Sequence, residues 1–184
     1  MRRLAVASLI AFPIAAVCAV AFIAIGPKES ATQGAPRVPF ASFEQLPQPL
    51  PLPYDENADA DGDVAAALAR AKAQVKLLLI DLGGNWCLDC RLLAGTIGTQ
   101  PLADWMAQRF EIVTVDVGRF DRNQQVPARY GIEGRLEGVP AILIVEPNTG
   151  KLINAGHVTA LADARSMTPQ ALANWFAGWA ADQG

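Results

Sequence analysis

The feature that most constrains this chain is the run 75–82, VKLLLIDL, a near-continuous apolar stretch of strand length that stops at Gly83-Gly84. A strand exposed on one face alternates apolar and polar residues, so one that hardly alternates has to be covered on both faces. Helical patterns flank it as that requires. Before it, an acidic start at Asp59 leads into the alanine-rich stretch 64–73, and acids at a helix N-terminus are favoured by capping and by the dipole. After it, Cys87 opens a helical stretch to about Ile97, and Pro101 can start a second one that runs to about Arg109. The segment 111–117 (EIVTVDV) reads as the next strand, and 124–130 as a short helix in which Pro127 sits awkwardly. Two short apolar runs, 141–145 and 151–155, flank Pro147-Asn148-Thr149-Gly150 and read as a hairpin. Thr168 then caps a last helix with Pro169 in its first position. Helix, strand, helix, strand, helix, strand, strand, helix is the order of an α/β domain: a central mixed sheet flanked by helices on both faces.

The 184 residues fit one such domain plus accessories. Hydrophobic content is 52% and mean hydropathy is positive, because much of the apolar sequence precedes residue 27. There, Arg2 and Arg3 are followed by 22 uncharged residues, 4–25, enough at about 1.5 Å per residue to cross a hydrocarbon core of about 30 Å. A cleaved secretory signal has a shorter apolar region that ends in a small-residue site. The reading kept for 1–26 is therefore an uncleaved transmembrane anchor, with a cleaved signal as the alternative. The paired arginines hold the cytoplasmic side, which makes the expected location the inner (cytoplasmic) membrane, with the domain facing the periplasm or extracellular side. Cleavage would give a secreted form instead. Cys18 falls inside this run after Ala15, Ala16 and Val17, a poor lipidation site, and reads as a small apolar residue of the span. The formal net charge of -3 falls further once Arg2 and Arg3 are set aside, so no basic patch is available for nucleic acid.

Seven prolines, Pro27, Pro36, Pro39, Pro47, Pro49, Pro51 and Pro53, crowd the segment 27–58. That density favours extended polyproline conformation over packing, and the segment reads as a tether with a reach of roughly 80 Å. The folded domain is then 59–184. At its start, Asn57, Asp59, Asp61 and Gly62 mimic the opening of a calcium loop, but Leu68 stands where a bidentate glutamate is needed. A capped, solvated helix start is the expectation.

With Cys18 in the anchor, the domain has two cysteines, Cys87 and Cys90, in Trp86-Cys87-Leu88-Asp89-Cys90, where a buried strand hands over to a helix. A cysteine at a helix N-terminus faces unpaired N–H groups and the positive end of the dipole, which favours the thiolate. Spacing of i, i+3 puts the second sulfur on the same face, close enough to attack a mixed disulfide formed by the first. Cys87 is thus the candidate nucleophile and Cys90 the resolving thiol. A permanent structural disulfide would close too small a loop to stabilise much. Two thiolates with His157, the one histidine, could hold copper, whereas four-coordinate structural zinc lacks ligands.

The stretch 79–90 (LIDLGGNWCLDC), followed far downstream by Val139-Pro140, resembles the thioredoxin-like family: a strand carrying an aspartate, then W-C-x-x-C, then a distant cis-proline. The resemblance spans about residues 60–184 and implies a thioredoxin-like fold and a thiol/disulfide oxidoreductase that needs no cofactor. It implies that Asp81 is a buried acid with a raised pKa that exchanges a proton with Cys90, against a plain strand-end aspartate facing solvent. It also implies that Pro140 is cis, that the Val139 backbone holds a substrate strand, that Trp86 packs at the rim, and that Gly156 lets a substrate approach. A core tryptophan and a turn glycine are the plainer alternatives for the last two. The implied partners are proteins bearing disulfides or thiols, together with a membrane redox donor.

Two departures carry further expectations. Asp89 between the cysteines should oppose thiolate formation at Cys87, which suits a reductase better than a strong oxidant. The link 130–140 is longer than the family's, so Glu133, Arg135 and Glu137 are expected to help select the partner. The competing reading is a copper-handling or metal-binding module that uses Cys87, Cys90 and His157.

Overall fold

A computed structural model describes residues 34–180. The anchor expected over 4–25 lies outside these residues, and among them no helix is long and apolar enough to cross a membrane.

Helix α1, Ala60–Gln74, begins where Asp59 Oδ1 accepts the Gly62 N–H at 3.1 Å, with Asp61 and Asp63 in the first turn. Asp61 is bound to Arg129 at 2.6 Å. These acids therefore serve as cap and ion pair, as the capped-helix reading expects. Alanines on the inner side let α1 lie close to the sheet. The helix ends at Val75, which is left-handed at φ 54° and 91% exposed, so Val75 belongs to a turn and the strand begins two residues later than expected.

Strand β1, Leu77–Gly83, is buried along its whole length. It pairs in parallel with β2, Phe110–Asp116, and antiparallel with β3, Ala141–Glu146. With a short β4, Lys151–Leu152, the order β2-β1-β3-β4 makes the mixed sheet, with β1 inside it. Helices α2, Leu88–Ile97, and α3, Leu102–Arg109, form the crossover that a parallel pair needs. Strand β4, Lys151–Leu152, is shorter than the expected 151–155. Beyond it the buried Asn154 side chain replaces backbone pairing, accepting from Ile144 N at 2.9 Å and donating to Ile142 O at 2.7 Å. A short helix α4, Gln125–Ala128, follows β2, and α5, Pro169–Ala180, closes the domain with Thr168 Oγ1 capping Ala171 N–H at 3.1 Å.

Two apolar layers cover the sheet. Leu78, Ile80 and Leu82 meet Val64, Ala67 and Ala71 of α1. Leu77 and Leu79 meet Leu93 of α2, Met106 of α3 and Phe176 of α5. Alternation along β1 sends Asp81 and Gly83 toward this second side, where α2 sits.

The largest departure from expectation concerns the proline-rich segment. Residues 34–58 lie on the domain instead of forming a free tether: Val38, Leu46, Leu50 and Tyr54 are buried. Leu46 and Leu50 pack on Leu92 of α2, and burying each such side chain stabilises by about 1.5 to 3 kcal/mol. Extended polyproline backbone bonds to nothing within itself, so its carbonyls are free acceptors. Arg91 donates to Leu50 O at 2.9 Å and to Pro51 O at 3.1 Å, and Thr114 donates to Pro53 O at 2.9 Å. The proline arm is extended, as its composition requires, and is fastened along the site's edge.

Candidate active site

The end of β1, the turn after it and the first turn of α2 place the dithiol. Cys87 is the N-cap of α2, in extended conformation, and its Sγ accepts the Cys90 N–H at 3.2 Å. The thiol also lies 3.4 Å from Val139 O, next to the cis Val139–Pro140 peptide. Cys90, one turn on, has no exposed surface, while Cys87 keeps 6%. Both are free thiols. The Cys90 thiol, donating to Cys87, does most to hold the Cys87 pKa below the usual thiol range, and the Cys90 N–H adds to this against the opposing effect of burial. The same sulfur–sulfur hydrogen bond, with burial next, pushes Cys90 far up.

Asp89 opposes the Cys87 thiolate by its charge, as expected, but that charge is shared with a partner the sequence did not point to. The buried Asp89 carboxylate receives the Arg165 backbone N–H at 2.9 Å and the Arg165 Nε at 3.0 Å, and it also binds the Arg165 Nη2. With its charge matched by a guanidinium, Asp89 raises Cys87 less than the local hydrogen bonds lower it, and the net displacement of Cys87 is downward. The opposition expected from sequence is therefore present, and it offsets only part of the lowering of Cys87.

Asp81 is buried, and burial lifts its carboxyl to about 7 despite a hydrogen bond that favours the ionised form. That bond, 2.8 Å to Asp81 Oδ1, comes from the Tyr54 hydroxyl. Tyr54 reaches the site from the proline arm. Its main chain is clamped to the loop before the motif, with Asn85 Nδ2 donating to Tyr54 O at 2.7 Å and Tyr54 N donating to Asn85 Oδ1 at 3.1 Å. Gly83 makes room for it: a Cβ there would stand 2.4 Å from Tyr54 Oη and 2.8 Å from Cys90 Sγ. Burial, with Asp81 and Cys90 beside it, pushes the phenol far up, so Tyr54 stays a neutral hydroxyl. Sequence reasoning missed Tyr54. The signal it offered was one hydroxyl-bearing aromatic in a run otherwise made of proline and leucine, followed by a glycine at the strand end where a side chain would collide.

Trp86 stands at the rim, 42% exposed, with its Nε1 donating to Gly118 O at 2.7 Å. The Arg119 guanidinium lies 4.4 Å over its ring and Phe120 meets it edge-on at 5.9 Å. Arg135 in turn covers Phe120 at 4.6 Å, while Glu133 and Glu137 are exposed. Gly156 is exposed at φ 81° with open space around it. His157 packs against Trp179 at 5.5 Å, and among the described residues no three potential metal ligands come together, so the structure does not join His157 to the two cysteines.

The Thioredoxin-like family model matches residues 59–147, which include β1, the dithiol and β3. The crystal structure of a disulphide isomerase from Xylella fastidiosa Temecula1 is 40% identical, over 71% of this chain and 98% of that one, with a TM-score of 0.64. A Pseudomonas aeruginosa protein of unknown function matches over 78% of this chain and 97% of its own, at 17% identity and a TM-score of 0.35. None of the curated proteins matches. With a dithiol at the head of α2, a buried acid beneath it and a relative of this identity along nearly its whole length, the chain belongs to the thioredoxin-like family and is a thiol–disulfide oxidoreductase.

Proposed function

We propose that the protein reduces disulfides of other proteins outside the cytoplasm, with Cys87 as nucleophile and Cys90 as resolving thiol. The Cys87 thiolate attacks one sulfur of the substrate disulfide, that S–S bond breaks, and the departing substrate sulfur leaves as a thiolate that takes a proton from solvent. Cys90 then gives its proton to Asp81 and attacks Cys87 Sγ, forming the Cys87–Cys90 disulfide and releasing the second substrate thiolate. The substrate gains two electrons and the dithiol loses them, so a membrane redox donor has to recharge the site. The observation that carries this reading is Cys87 as the N-cap, with the Cys90 N–H on its sulfur at 3.2 Å.

Several features fit the handling of protein substrates. The Val139 backbone beside Cys87 offers a strand-like contact, Trp86 gives an exposed aromatic anchor, and Gly156 leaves an approach free of side chains. Arg135 on Phe120, with the exposed Glu133 and Glu137, would bias partner choice by charge. Export rests on Arg2, Arg3 and the uncharged run 4–25.

Reduction of insulin by dithiothreitol tests the reading. The wild-type chain should accelerate it, and Cys87→Ser should return the rate to background; an unchanged rate in that variant would sink the proposal. A second reading, disulfide isomerisation, is favoured by the name of the Xylella structure. It predicts rescue of scrambled ribonuclease without added reductant once the dithiol has been reduced.

A further inference from the structure

The resolving step has an unsolved proton problem. Cys90 is fully buried and must lose its proton before it can attack, yet the hydrogen bond of the Asp81 carboxylate goes to Tyr54. The Tyr54 hydroxyl shares the space above Gly83 with Cys90 Sγ, the two atoms lying 2.4 Å and 2.8 Å from where a Cβ would be. It therefore donates to the acid at 2.8 Å and neighbours the thiol over Gly83. We propose that Tyr54 is a proton relay: its hydroxyl accepts the Cys90 proton while passing its own to Asp81. This rests on the dithiol reading above and adds to it a residue from outside the segment 59–147 matched by the family model.

The balance is simple. Before the step there are a Cys90 thiol, a Tyr54 phenol and an Asp81 carboxylate; after it, a Cys90 thiolate, a Tyr54 phenol and an Asp81 carboxylic acid. Two protons move by one bond each and no net charge is created in the pocket. Tyr54 never becomes a phenolate, consistent with the strong upward displacement of its pKa. Asp81, lifted by burial to about 7, is close to neutrality in affinity for the proton it receives. The titratable groups facing the relay are Tyr54 from the arm, Asp81 from β1, and Cys90 and Cys87 from α2 and its cap; Asp89, also on α2, is held by Arg165. The arm's fastening through Asn85 keeps the hydroxyl in place.

The test separates capture from resolution in the full-length protein. A peptide disulfide is mixed with reduced protein, the reaction is acid-quenched, and the Cys87 adduct is followed by mass across the neutral pH range. In Tyr54→Phe, capture should proceed at the wild-type rate, while decay of the adduct slows by about 100-fold and loses its inflection near pH 7, as general acid–base assistance of that size would require. Wild-type decay with the same inflection in Tyr54→Phe would overturn the relay and leave direct transfer to Asp81. Failure of the wild type to form any adduct would overturn the dithiol reading itself, a different result. A proton inventory on the wild-type decay in mixed light and heavy water needs no variant: curvature from two moving protons supports the relay, and a straight line contradicts it.

Discussion

The rim and the floor of this site are built from opposite materials. At the rim, Cys87 keeps contact with solvent, hydrogen bonds hold its pKa low, and Trp86 and Leu88 are exposed nearby, with Arg119 and Phe120 against Trp86 and Arg135 over Phe120. At the floor, Cys90, Asp81 and Tyr54 are buried side by side, Tyr54 donates to Asp81, and burial raises the Asp81 pKa to about 7. One helical turn separates the two sulfurs, but hydrogen bonds hold the pKa of the first below the usual thiol range, while the bond to Cys87 and burial push the second far up. The rim is built to capture, and the floor to release only when a proton has somewhere to go.

The strongest way to break this contrast is Cys90→Ser. Capture should persist while release stops, so the protein should accumulate as a stoichiometric adduct on a non-reducing gel; continued turnover would mean that the floor is dispensable.

Asp81→Asn comes next, with effects in two directions. Release should slow by about 100-fold, while stability should rise at alkaline pH. The native Asp81 pKa, about 7, lies above the ordinary carboxyl value, so its favourable contribution is full below about pH 4 and is lost as pH rises through about 7. Above that pH the wild type keeps a buried carboxylate that the amide removes, a gain on the order of 2 to 4 kcal/mol. Urea unfolding at acidic and alkaline pH checks this; an equal change at both would contradict it.

A smaller effect is expected from Arg165→Gln. Without the guanidinium, the Asp89 charge acts on Cys87 unopposed and should move its titration up, read from the pH dependence of alkylation by iodoacetamide; an unchanged profile would contradict it. Smallest is Trp86→Ala, which should weaken protein substrates by about 1 kcal/mol, a factor of about 5. Small disulfides should be reduced at the wild-type rate, and equal loss for both would place Trp86 in the chemistry instead of the contact.

The parts of the molecule that were legible in the sequence are those specified locally. A seven-residue strand buried throughout, its glycine stop and a cysteine-led helix follow one another within 77–97, and each is written in period, cap or spacing. The proline arm was misread because composition reports backbone conformation and not attachment: its acceptors meet donors at Arg91 and Thr114, 40 and 61 positions away. The charge of Asp89 was visible but its neutralisation was not, since Arg165 lies 76 positions along the chain. Tyr54 was overlooked for the same reason, its bond to Asp81 crossing 27 positions out of a segment read as a tether.

The most direct measurement is the ultraviolet thiolate absorbance of the reduced full-length protein, titrated through neutral pH, for wild type and Cys87→Ser. One sulfur should ionise below the ordinary cysteine range, and that transition should vanish in the variant, leaving Cys90 as a thiol throughout. If both sulfurs ionised together near the value of free cysteine, about 8.5, rim and floor would be chemically alike and the division of labour proposed for them would be wrong.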